Sequence, residues 1–131
     1  MRPHSNDRQH IRSGSPYEGA FGFSRAVRVQ DRVFVAGTAP IWPDGACPDD
    51  PAVQARRCFE IIAAALAEAG CTVDDVVRTR MYITDPAIAE AVGQVHGEVF
   101  GRARPAATMV VVAGLLDPRW VVEIEAEALR R

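Results

Sequence analysis

Apolar and polar positions along this chain repeat with two different periods, and the switches between them mark its elements. Arg25-Ala-Val-Arg-Val29 and Arg32-Val-Phe-Val-Ala36 flank the pair Gln30-Asp31. That spacing predicts a two-residue hairpin, although the turn lacks the favoured glycine. Pro40, Pro43, Gly45 and Pro48 then gather among aspartates as a loop. Asp50-Pro51 reads as N-cap and first helical residue, and Ala55, Cys58, Phe59, Ile62, Leu66 and Ala69 follow at helical spacing until Gly70. Val76 to Thr84 is rich in β-branched and aromatic residues and predicts a strand. Asp85-Pro86 opens a second helix, with Ile88, Val92, Val95 and Val99 on one stripe, ending near Phe100. Ala106 to Ala113 is an almost continuous apolar strand, and Trp120 to Leu129 is the last one. The predicted order is ββαβαββ, an α/β (α+β) subunit with one mixed sheet and two helices on one face. Residues 1–14 show no sustained period and are expected to be mobile or attached at an edge, leaving one domain over 15–131.

Side chains on a strand point alternately to opposite faces, and two helices between strands cover one of them. In the last strand Trp120, Val122, Ile124, Ala126 and Ala128 form the helix-facing row, and Glu123, Glu125 and Glu127 the other. In the middle strand Val77, Thr79, Met81 and Ile83 suit the helix side, which puts Arg78, Arg80 and Tyr82 on the glutamate face. The strand from Ala106 is different, because both its rows are almost free of charge. It wants cover on both sides, and with the helices used on one, a second subunit is the economical cover for the other. A cavity between subunits then suits a small ligand.

Composition narrows the classes. The chain has 131 residues, 48% of them hydrophobic, enough for one core. A net charge of -2, with no run of like charges, makes nucleic acid an unlikely partner. Cys47, Cys58 and Cys71 are odd in number and lack CxxC spacing, so free thiols and a cytoplasmic protein are expected. No apolar h-region opens the chain and no apolar run reaches eighteen residues, so neither secretion nor a membrane partner is expected. His96 is the one histidine inside the folded region, with no clustered carboxylates, so no metal or cofactor is expected.

Several weak motifs stand in register. Gly22-Phe-Ser-Arg-Ala-Val27 is similar to the Gly-Pro-Tyr-Ser-Gln-Ala-Val segment of the YjgF/Rid family of imine and enamine deaminases, with one position lost. Val35-Ala-Gly37 with Pro40 resembles its Ser-Gly-Gln-Ile-Pro strand end. Ala69-Gly70, Asp75-Val-Val-Arg-Thr79, Phe100, Arg104-Pro-Ala106 and Val122-Glu-Ile-Glu-Ala126 recur in the family's order, from about Gly19 to the C-terminus. The resemblance implies a chorismate-mutase-like fold, a homotrimer around a closed barrel, and ligand pockets between subunits. It also exposes departures. The family's deaminases hold a substrate carboxylate with the arginine of a Pro-Ala-Arg segment, and Ala107 stands there in this chain. Phe23 replaces a tyrosine and Gly93 an asparagine, whereas Glu123 matches a polar site position.

Glu123 is the candidate catalytic residue, as a partly buried acid or base, or else the counter-ion of a neighbouring arginine. Candidate ligand-contacting residues are Arg80, Phe23, Gly37, Ala107 and Met109. Arg80 either enters the pocket from its own strand or forms an ion pair with Glu123 or Glu125. Trp42 either walls the pocket or anchors its proline-rich loop. His96 reads as a helix-edge contact and Cys58 as core. Three functions are in play: a hydrolase of an imine, enamine or related C=N or amide-like bond, a non-catalytic small-molecule binder, and an RNA-cleaving protein.

Overall fold

The computed structural model describes residues 8–131, so within segment 1–14 residues 1–7 lie outside the described residues. The elements are β1 (Arg8–Ile11), α1 (Pro16–Phe21), β2 (Ala26–Val29), β3 (Arg32–Thr38), α2 (Pro51–Glu68), β4 (Val76–Ile83), α3 (Ala89–Phe100), β5 (Ala106–Val111) and β6 (Val122–Leu129). Single 3-10 turns at Val73–Asp75 and Pro86–Ile88 precede β4 and α3. The strands form one mixed sheet in the order β1-β2-β3-β6-β4-β5. Only β4 and β5 run parallel, joined by the α3 crossover. No helix of the described residues is long and apolar enough to cross a membrane.

Local chemistry explains most boundaries. Asp50 Oδ1 accepts the amides of Ala52 at 2.8 Å and Val53 at 3.2 Å, and Pro51 loses no bond at a position whose amide has no helical partner. The chain leaves α2 through Gly70 at φ 83, where a glycine avoids the left-handed penalty. The β2–β3 turn is made without glycine. Gln30 takes φ 55 and its carbonyl accepts Arg28 Nε at 2.8 Å, a local brace for a disfavoured conformation. Asp85 caps the 3-10 turn rather than the α-helix, which therefore begins at Ala89, later than the sequence suggests.

The core lies between the sheet and the paired helices. Ala55, Cys58, Phe59, Ile62 and Leu66 of α2 and Val92, Val95 and Phe100 of α3 meet Val122, Ile124, Ala126 and Ala128 of β6. The predicted β6 alternation is therefore correct, although Trp120 precedes the strand instead of starting it. In β4 Thr79, Met81 and Ile83 are buried as expected, but Val77 is half exposed. The ladder to β6 slips between Val76 and Arg78, and the slip gives Val76 the buried place assigned to Val77. A second irregularity lies between Val35 and Thr38 of β3.

Two elements precede the predicted ββαβαββ set. β1 adds an edge strand against β2, with Ile11 buried opposite Ala26. α1 is capped by Ser15 and exposes Tyr17 and Phe21, so no buried stripe announces it. At the other edge Val110 and Val111 of β5 are 42% and 53% exposed. β5 is also shorter than expected, ending at Val111.

Candidate functional site

On the sheet face away from α2 and α3, β6 sets Glu123, Glu125 and Glu127 opposite Tyr82, Arg80 and Arg78 of β4. Arg80 Nη1 donates to Glu125 Oε1 at 3.3 Å and to Glu127 Oε2 at 3.0 Å, and Tyr82 Oη donates to Glu125 Oε1 at 2.9 Å. Arg80 is thus the ion-pair partner of two glutamates, neither of them Glu123. Among the described residues Glu123 has neither an ion pair nor a side-chain hydrogen bond.

What lies against Glu123 is a gap in a backbone. A methyl group built at Gly37 would sit 2.5 Å from Glu123 Oε2, so the carboxylate occupies the space a side chain would need. Gly37 belongs to the β3 irregularity, and Arg25 holds that segment: its Nη2 donates to the carbonyls of Ala36 at 2.9 Å and Gly37 at 2.8 Å. Burial raises the Glu123 carboxyl above the usual carboxylate range, Arg25 opposes the rise and Glu125 adds to it. A carboxyl moved toward neutrality can give and take protons in one reaction cycle. Burial also lowers the Arg25 pKa, yet a guanidinium stays charged. Its Nε is buried without a partner. Beyond Arg25 lies buried Glu18, whose carboxylate accepts the Ser13 amide at 3.2 Å and the Ser13 hydroxyl.

The other candidates disperse. Phe23 lines an open depression of about 340 Å³ with His10, Ser24, Val27, Phe34 and Ala36, where His10 Nδ1 is 3.0 Å from Ser24 Oγ. Ala107 and Met109 pair with Thr79 and Met81, so they lie on the helix side of the sheet and a single chain does not bring them to Glu123. Trp42 is partly buried in the loop after β3, where its carbonyl accepts the Gly45 amide at 3.0 Å. His96 is not a loose edge contact. Its Nε2 lies 2.8 Å from Thr79 Oγ1, its ring packs against both Phe59 and Phe100, and burial lowers its pKa. Cys58 is wholly buried, as read from its stripe.

Sequence reasoning missed Arg25 and Gln54. Gln54 is completely buried: its Nε2 donates to the carbonyls of Pro48 at 2.8 Å and Arg119 at 2.9 Å, and its Oε1 accepts the Val121 amide at 2.8 Å. It ties the loop before α2 to the approach of β6, and hence to the strand carrying Glu123. The only signal in the sequence was a polar residue beside the apolar stripe of α2; for Arg25 it was a cation opening an apolar strand.

Residues 15–130 match the family model described as Endoribonuclease L-PSP. An uncharacterized protein of Streptomyces coelicolor is 41% identical over 121 residues, spanning 92% of this chain and 90% of its own. A RutC family protein of Pyrococcus abyssi is 37% identical over 109 residues, spanning 82% and 84%. A solved member of the YjgF/YER057c/UK114 family from Mycobacterium tuberculosis superposes with a TM-score of 0.85 at 46% identity, covering 93% of this chain and 98% of that one. TdcF of E. coli, solved with bound serine, superposes at 0.78 with 28% identity, covering 93% and 94%. The fold, the motifs in register and these matches place the chain in one group: it belongs to the Endoribonuclease L-PSP family, the YjgF/Rid family.

Proposed function

We propose that this protein binds a small metabolite against Glu123, in a pocket completed by a neighbouring copy in a homotrimer, and hydrolyses a C=N bond there. The observation that carries the reading is the unpaired, half-buried Glu123 carboxyl seated in the Gly37 gap. Protonated, Glu123 delivers its proton to the nitrogen of an imine; ionised, it takes one from the attacking water. Water adds to the carbon, the carbinolamine collapses, and a carbonyl compound and ammonia leave. The uncharged edge strand β5, with Val110 and Val111 exposed, supports assembly, since such an edge wants cover from a neighbouring copy.

The ligand class follows from the arginines. Arg80 is engaged by Glu125 and Glu127, Arg25 by two backbone carbonyls, and Ala107 has no charge to offer. The clamp that the arginine of a Pro-Ala-Arg segment would give a carboxylate is missing at Ala107, which favours a neutral C=N or amide-like substrate over a free 2-imino acid. The serine bound by the family member TdcF supports a ligand of metabolite size. A net charge of -2 gives RNA phosphates no basic track, which weighs against an endoribonuclease.

The test compares wild type, Ala107→Arg and Glu123→Gln for pyruvate and ammonia release from enzymatically generated 2-aminoacrylate, with light scattering for mass. Three chains per particle and slow wild-type turnover are expected. Ala107→Arg should restore roughly ten- to a hundredfold, the worth of one charge-assisted contact of about 1.5 to 3 kcal/mol. A monomer, or full activity in Glu123→Gln, overturns the reading. If wild type and Ala107→Arg are both inactive, the absent tyrosine hydroxyl and asparagine amide at Phe23 and Gly93 favour a non-catalytic binder.

A further inference from the structure

We infer that Arg25 is the positioning residue of Glu123: by gripping the Ala36 and Gly37 carbonyls it keeps open the gap that the carboxylate fills, and it supplies the positive charge beside which that carboxylate works. The inference rests on the role proposed for Glu123 and names the group that controls it.

Successive carbonyls of a regular strand point to opposite sides. The carbonyls of Ala36 and Gly37 instead converge on one nitrogen, Nη2 of Arg25, at 2.9 and 2.8 Å. That convergence needs the departure from regular pairing between Val35 and Thr38, and the guanidinium fastens it. The fastened residue is the one whose missing Cβ admits Glu123 Oε2. Arg25 therefore acts on Glu123 twice, through the backbone it shapes and through its field.

The rest of the surroundings support the assignment. Glu123 faces Tyr82 of β4 and has Glu125 beside it on its own strand, and neither carries a positive charge. Arg80, the nearby cation on β4, is committed to Glu125 and Glu127. On its far side Arg25 has Glu18 of α1, itself buried and held by Ser13. A guanidinium with a buried, unpartnered Nε is costly to keep, and such a cost calls for a purpose beyond tying a loop.

The titration of Glu123 is read directly by NMR of protein carrying 13C-carboxyl glutamate, with Glu123→Gln assigning the resonance. Arg25→Gln removes the charge, and Arg25→Lys keeps it on a single nitrogen. Arg25→Gln should raise the Glu123 midpoint by about half a unit or more, roughly threefold in proton affinity, and Arg25→Lys should hold it near wild type. A residue that only braced the fold would lower stability without this split. An unchanged midpoint in folded Arg25→Gln overturns the inference. If Arg25→Gln does not fold, Arg25→Lys decides: a wild-type midpoint sustains it and a clear upward shift overturns it. Because no substrate enters the measurement, a shifted midpoint in a protein inert toward imines would refute the proposed hydrolysis and leave the role of Arg25 standing.

Discussion

Replacing Gly37 by alanine should separate stability from function. The added methyl would meet Glu123 Oε2 at 2.5 Å and Cδ at 3.4 Å, whereas ordinary contact begins near 3.4 Å. Gly37 is not among the glycines at positive φ, so its backbone accepts a side chain without strain. The carboxylate must move by about 1 Å, through an adjustment of a flexible side chain that costs about 0.5–1.5 kcal/mol. Against this, losing a glycine restricts the unfolded chain and returns about 0.4–1 kcal/mol. The two nearly cancel, so Gly37→Ala should melt within a few degrees of wild type. A reacting group displaced by about 1 Å costs up to about a hundredfold in rate. The assay is turnover of an imine beside a thermal melt, on Gly37→Ala, Glu123→Gln and the double variant. In the double variant the methyl should cost no further activity, because the group it displaces has already lost its chemistry. Wild-type turnover in Gly37→Ala would refute the placement of Glu123, and a melt lowered by ten degrees or more, roughly, would show that the gap holds more than one carboxylate.

Gln54→Leu strands two buried carbonyls and one amide, and should lose about 3 kcal/mol or more in urea unfolding; a loss below about 1 kcal/mol would mean that water replaces the amide. Because burial raises the Glu123 carboxyl, the folded protein favours the protonated form and loses stability as pH rises from about 4.3 through that raised value. Glu123→Gln should therefore be the more stable protein at neutral pH and lose its advantage near pH 4, as thermal melts across that range would record. Native-state alkylation counted by mass spectrometry should mark Cys47 first, since it is partly exposed while Cys58 and Cys71 are buried. Burial raises all three thiols and Cys58 most clearly, so labelling of Cys58 at the Cys47 rate would contradict the packing of α2.

The elements that could be read from the chain are those whose signal is repeated. The α2 cap, its apolar stripe and the alternation of β6 each rest on several residues that agree, and each is found where the pattern puts it. β1 is four residues with one buried side chain, and α1 is six residues with its aromatics in solvent, so neither carries enough periods to register. Val77 was misplaced because one slipped residue inverts the faces on one side of it, and no period reports a slip. The site divides in the same way. Glu123 was legible from the alternation of β6, and Gly37 from the strand-end motif. Arg25 and Gln54 were not, because both work by hydrogen-bonding backbone groups, and any segment of any sequence offers those.

The place of β6 in the sheet has a consequence for how the molecule is made. β1, β2 and β3 form a meander of neighbours in the chain, and β4 and β5 a second unit linked by α3. Among the described residues only β6 joins the two in the sheet; it follows all the others and pairs with β3 on one side and β4 on the other. Each half can gather early from short-range contacts. The zipper between them waits for a strand that must find Val33 with Ala128 across most of the chain, the slow kind of pairing. Until it arrives, β3 and β4 each present an open rim, the interval in which aggregation is most to be feared. A chain cut short of Val122 would leave two unjoined fragments in place of a smaller sheet. Since Glu123 rides on that closing strand, its carboxylate meets Gly37 of β3 only when the two halves of the sheet are joined.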